Sequence, residues 1–211
     1  MLTESGYTLS RGFYLLDFYL LKRLTLIMGL LSLITLSFVS LSLMFLFIDS
    51  LFVRFEIKTF FKALGFAVFG TYQVMSLLNF MGSLIAPNQV SWIGSVGLYL
   101  IFISLIFDPH SKLNLAFILP PILFILFGGH TLLALQAFLV SVSTFQLAYT
   151  THHKDLIPFG VGFVLVAIGE FFLSLGENFL AASAIIFILA SAYLFYWLWQ
   201  YLVIRLPLLG K

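Results

Sequence analysis

Long apolar runs, interrupted at short intervals by proline, glycine or a knot of charge, fill this chain from about residue 24 to residue 206. A helix needs roughly 20 apolar residues to cross a bilayer, with a range of about 17–25. Breaks at Pro, Gly and charge clusters mark the loops. On that rule the pattern predicts seven spans, over residues 24–52, 63–86, 92–107, 115–127, 131–150, 156–176 and 179–206. The first is longer than a bilayer requires and must tilt or protrude. The fourth is short and carries Pro120 and Pro121, which remove two backbone donors and kink a helix, so it is read as a bent span rather than a re-entrant segment.

Residues 13–21 are apolar and aromatic but interrupted by Asp17 and followed by Lys22 and Arg23. They form either an interfacial helix or an extension of the first span. The start lacks the short apolar core and small-residue cleavage site of a signal peptide. The expected organisation is therefore an all-α, polytopic integral membrane helical bundle. Residues 1–23 form the N-terminal tail, 24–206 the bundle and 207–211 a short C-terminal tail.

Composition agrees. Of 211 residues, 62% are hydrophobic and 9% charged, and mean hydropathy is +1.15. A soluble domain carries about 45–50% apolar and about 25% charged residues. The net charge of +2 comes without any basic cluster interleaved with aromatics, so nucleic acid is not an expected partner. With no cysteine, thiolate metal sites, iron–sulfur clusters and disulfides are excluded.

Counting Lys and Arg sets the expected orientation. With the N-terminus outside, Arg54, Lys58, Lys62, Lys112, Lys154, Arg205 and Lys211 face the cytoplasm, and only Arg11, Lys22 and Arg23 face out. The positive-inside rule favours this arrangement, with a cytoplasmic C-terminus in the cell membrane. Tyr193, Tyr196, Trp197, Trp199 and Tyr201 crowd the inner end of the last span, where amphipathic rings sit at headgroup level.

Lipid gives helices no hydrophobic reason to associate, so small and polar residues mark packing faces. Thr25, Ser32 and Val39 recur every seven residues, as do Met28, Thr35, Ser42 and Asp49. Together they predict that this seam of the first span turns inward. Tyr72, Ser76, Asn79 and Ser83 share a face of the second span. Gln136, Ser143 and Gln146 mark one on the fifth, and Ala167, Glu170 and Ser174 one on the sixth.

Glu170 is the most informative residue. A carboxylate inside an apolar span costs about 2.5–3.5 kcal/mol on insertion scales and marks a site by default. His130, after Gly128 and Gly129, is expected in the same leaflet and within reach of it. Asn79, Gln136 and Gln73 complete the candidate polar site. His152 and His153 read as a solvated turn, because adjacent histidines diverge and make a poor metal site. No histidine lies deep in a span for haem, and no lysine lies in a late span for a retinal Schiff base. Neither a Gly-x-Ser-x-Gly elbow nor a His-Glu-x-x-His helix is present.

No cofactor and no enzymatic activity is therefore expected. The leading expectation is a non-catalytic membrane module, an accessory or anchoring subunit whose partners are the lipid bilayer and other subunits or further copies of itself. The alternatives are a small ion- or proton-linked transporter or channel using Glu170, and a seven-span sensor that lacks its own output domain.

Overall fold

The computed structural model describes residues 5–82, 87–111 and 129–209. These residues form six α-helices and two single-turn 3₁₀ segments, and no strand occurs among them. The helices are α1 (Ser5–Val53), α2 (Ile57–Phe80), α3 (Pro87–Ile106), α4 (His130–Thr151), α5 (Ile157–Ser174) and α6 (Leu180–Leu209). Five of them, all but α3, contain stretches long and apolar enough to cross a membrane. The span expected over 115–127, with its proline pair, lies outside the described residues. The count of seven is therefore not confirmed by them.

Each helix packs against its neighbours in sequence, and α6 closes back on α1. The directions around this ring follow from contacts at its two ends. Lys58, at the start of α2, bonds Asp108 just beyond α3. Gly29 on α1 lies against Phe80 at the end of α2 and Leu180 at the start of α6. The Gly129 N–H donates to Ser91 Oγ at 3.1 Å, and Thr150 Oγ1 donates to the His110 carbonyl at 3.2 Å. Consequently α3 and α4 run parallel. The ring consists of two successive triplets, α1–α3 and α4–α6, each with the same up-down-up course. Ser111 and Gly129 stand at opposite ends of the bundle.

The Lys58 end is filled with rings. Phe47, Phe66, Phe159, Phe163 and Trp197 are all buried. Their centroids are 4.8 Å apart for Phe159–Trp197, 5.1 Å for Phe159–Phe163 and 6.2 Å for Phe66–Phe163. In lipid the unpacked alternative is already apolar, so this cluster stabilises through dense dispersion contacts and ring geometry rather than escape from water. Outward positions such as Phe38, Phe45 and Leu189 are exposed and apolar, as a lipid-facing surface requires.

Several expectations need correction. Residues 13–21 are not a separate interfacial helix, because α1 is one unbroken helix of 49 residues. At 1.5 Å per residue it is about 73 Å long, more than twice the roughly 30 Å hydrocarbon core. The polar tail is already helical from Ser5, and at the other end α6 continues to Leu209 through Pro207. The loop expected to hold Lys58 and Lys62 shrinks to 54–56, and both lysines lie on the first turns of α2. Their long apolar stems make this tolerable: Lys62 Nζ sits 5.7 Å over the Phe47 ring, and Lys58 pairs with Glu56 and Asp108.

The α1 seam is half right. Ser32 and Val39 are buried, but Thr25, Thr35 and Ser42 are only half-buried and Asp49 is exposed. Leu36, Leu43 and Leu46 are buried, with Phe47 beside them, so the inward face is rotated from the expected one. Hydroxyls caused the error. Thr35 Oγ1 donates to the Ser32 carbonyl and Ser42 Oγ to the Phe38 carbonyl, so neither needs a partner helix.

Candidate functional site

A cavity of about 320 Å³ occupies the end of the bundle opposite the aromatic cluster, and all six helices line it. Its polar centre is Glu170, on the last full turn of α5 and 1% exposed. Tyr72 Oη, from α2, donates to Glu170 Oε1 at 2.9 Å. His130 Nδ1, from the first residue of α4, lies 2.7 Å from Glu170 Oε2. The side chain of His130 is 41% exposed. A three-residue chain thus runs from a buried tyrosine through a buried carboxylate to an imidazole that reaches the outside.

Local structure explains how the three meet. Gly129 precedes α4 with φ 96°, a backbone state that suits glycine and lets the chain turn sharply into the helix. The Ser91 hydroxyl anchors that turn through the Gly129 N–H. Tyr72 is held from behind by α3, since a Cβ on Gly94 would lie 2.8 Å from its ring. The absence of a side chain at Gly94 therefore makes room for the tyrosine.

The rest of the wall is mostly apolar, with Leu33, Phe80, Val90, Leu173 and Phe187, but hydroxyls and amides interrupt it at Ser32, Gln73, Ser76, Asn79 and Ser183. Gln73 is 2% exposed, and its Nε2 has no hydrogen-bond partner among the described residues. A buried donor left unmade costs roughly 1–3 kcal/mol. Among the described residues, neither a lysine nor an arginine lines the cavity.

Of the five site residues expected from sequence, the structure gathers Glu170, His130, Gln73 and Asn79 around one space. Gln136 does not join them, although it is buried. Six residues separate it from His130, about 240° around α4 at 3.6 residues per turn, so the two cannot face the same way. Tyr72 was read from sequence only as a face residue; its spacing with Ser76 and Asn79 marked the right face but not the bond to Glu170. Ser91 and Ser183 carried no signal that set them apart from the many other serines, whereas Ser32 was marked by its place in the α1 seam. The seam residues Thr25, Thr35, Ser42 and Asp49 do not line the cavity, and Ser32 does.

At the other end, His152 and His153 are both exposed, and His153 Nδ1 lies 3.6 Å from Asp155. Asp108 is held below the ordinary carboxylate range: burial pushes it up, but the His110 N–H and the Lys58 ammonium outweigh that.

Compared with known protein families, curated proteins and solved structures, the chain matches none.

Proposed function

We propose that this chain is a proton-linked carrier of a small solute, with Glu170 as its coupling group. The observation that carries the reading is Glu170 itself: buried, bridged between Tyr72 and His130, on the wall of a cavity lined by every described helix. Intramembrane carboxylates paired in this way are what proton relays use. Histidine is the side chain whose ordinary titration falls near neutral pH, and His130 joins the carboxylate to the outside. Two triplets with the same course are also one of the repeat plans on which transporters are built, which adds analogy only.

The same reading takes the protein to lie in the cell membrane with seven crossings, which is supported by Ser111 and Gly129 standing at opposite ends of the bundle. Arg54, Lys58, Lys62 and Lys154 share one end of the bundle, which the positive-inside rule assigns to the cytoplasm. The cavity then opens outward and the aromatic cluster closes it from within.

Vesicles holding a pH dye and the purified protein test this. Sodium, a small organic cation, a neutral polyol or a carboxylate is added outside, and proton movement is read inside. The wild-type chain is expected to move protons with one of them and Glu170→Gln with none. Equal proton movement by the two proteins refutes the carrier.

The accessory-subunit reading is favoured by a different feature. Leu24, Leu31, Phe38, Phe45 and Phe52 repeat every seven residues along α1 and are all exposed, an outward stripe that a partner helix would fit. The mass of the assembly extracted in native lipid separates the two: a lone chain that moves protons is the carrier.

A further inference from the structure

The cavity's lining points to the class of solute, an inference that rests on the carrier reading. We infer that the site takes a small, largely apolar organic cation, and that the cation replaces the proton of His130 as the counter-charge of Glu170.

Charge is the first argument. Among the described residues, the titratable side chains facing the cavity are Tyr72 from α2, His130 from α4 and Glu170 from α5, while α1, α3 and α6 contribute none. An anion would meet the carboxylate with no lysine or arginine among the described lining residues to offset it. A cation finds a counter-ion already in place. Lining chemistry is the second argument. Phe80, Phe187 and Tyr72 bring three aromatic rings to the same wall as Glu170, and aromatic faces beside a carboxylate are the usual means of holding substituted ammonium groups. Leu33, Val90 and Leu173 accommodate short alkyl substituents. At about 320 Å³ the space lies at the small end of ligand pockets. Gln73 Nε2, without a partner among the described residues, provides a second polar contact, for an oxygen on the same molecule.

The exchange balances. When His130 is protonated, its N–H and the Glu170 carboxylate form a closed pair. An arriving ammonium takes the carboxylate as counter-ion, the imidazolium N–H bond breaks, and the proton leaves by the exposed edge of the ring. One positive charge enters, one departs, and the site keeps its net charge. Tyr72 holds the other carboxylate oxygen throughout, so Glu170 stays in place while its counter-charge changes.

Hexyltrimethylammonium is the probe, because it is a permanent cation and any pH dependence must come from the protein. Hexanol and hexanoate are its neutral and anionic counterparts. Binding to the full chain in lipid nanodiscs is measured by calorimetry from pH 5.5 to 8.5, in two buffers of different ionisation heat, against empty nanodiscs. The cation is expected to bind at least tenfold more tightly than either counterpart. Its affinity should rise with pH, with up to one proton released per cation bound at the acid end. His130→Ala should keep binding while losing both the proton release and the pH dependence, and Glu170→Gln should lose binding at least tenfold. Because Glu170→Gln removes a buried partner, His130→Ala is the deciding variant if the former does not fold. Hexanol binding as well as the cation, or proton release unchanged in His130→Ala, overturns the inference. Cation binding with proton release but no vesicle flux leaves the solute class standing and refutes the carrier. Flux without cation binding does the reverse.

Discussion

Replacing Gly97 with alanine tests the close approach of α2 and α3 on which the site depends. A Cβ at Gly97 would lie 2.6 Å from the Phe69 backbone nitrogen and 2.9 Å from its Cα. Ordinary contact begins near 3.4 Å, so the methyl is about 0.8 Å too close to main chain that cannot rotate aside. The reciprocal contact is equally tight, since a Cβ on Gly65 would meet the Ile101 nitrogen at 2.8 Å. The two helices must therefore separate. Overpacking of this kind costs about 1–3 kcal/mol, while alanine recovers about 1 kcal/mol of helix propensity over glycine. A net loss of up to about 2 kcal/mol follows. Tyr72 lies less than one turn beyond Phe69 on α2, so the same separation pulls its hydroxyl from Glu170, now 2.9 Å away. Gly29→Ala is the control, because its Cβ meets side chains alone, the edge of the Phe80 ring at 3.1 Å and Leu180 Cδ2 at an ordinary 3.7 Å, and the ring can turn. Unfolding in mild detergent, titrated with a denaturing one, reads the difference between the variants. If Gly97→Ala is as stable as Gly29→Ala, the backbone contact does not hold these helices and the packing argument is wrong.

Two further outcomes follow from the opposite end of the bundle. Phe163→Ala removes a fully buried ring from the aromatic cluster and is expected to cost about 2 kcal/mol, from the cavity left behind rather than from transfer to water; it also opens space between the cavity and the far end, so vesicles carrying it should leak protons that wild-type vesicles retain. Asp108 is more acidic than an ordinary aspartate, so its contribution is fully present above the usual range near 3.9 and disappears as pH falls through the lowered value. Asp108→Asn should flatten that acid limb of an unfolding-versus-pH curve while leaving stability above pH 5 less affected by pH than by the lost Lys58 bond.

Much of the fold could be read from the chain because hydrocarbon is an unforgiving solvent. Backbone polar groups must be satisfied within each crossing, so an apolar run of sufficient length dictates a helix whatever its neighbours do. The helix at residues 131–150 was therefore placed to within one residue of α4 at each end. Charge was less reliable as punctuation, since Lys58 and Lys62 lie inside α2 with their stems along apolar surface. The facing of each helix was harder still. In water, polarity separates inside from outside. In lipid, Leu36 and Leu43 can be buried while Thr35 and Ser42 satisfy their hydroxyls on their own helix, so polarity along α1 misplaced the inward face.

What the sequence determined alone is thus the helical class, the approximate crossings and the presence of one costly carboxylate at Glu170. Tertiary structure decided the rest. The parallel course of α3 and α4 rests on contacts between residues about 40 positions apart. The bond from Tyr72 to Glu170 joins residues 98 apart and depends on how α2 and α5 are rotated about their axes. Helical periodicity fixes the relative angle of residues on one helix but leaves the rotation of one helix against another to packing, and that rotation made a site from groups that are separate in the chain.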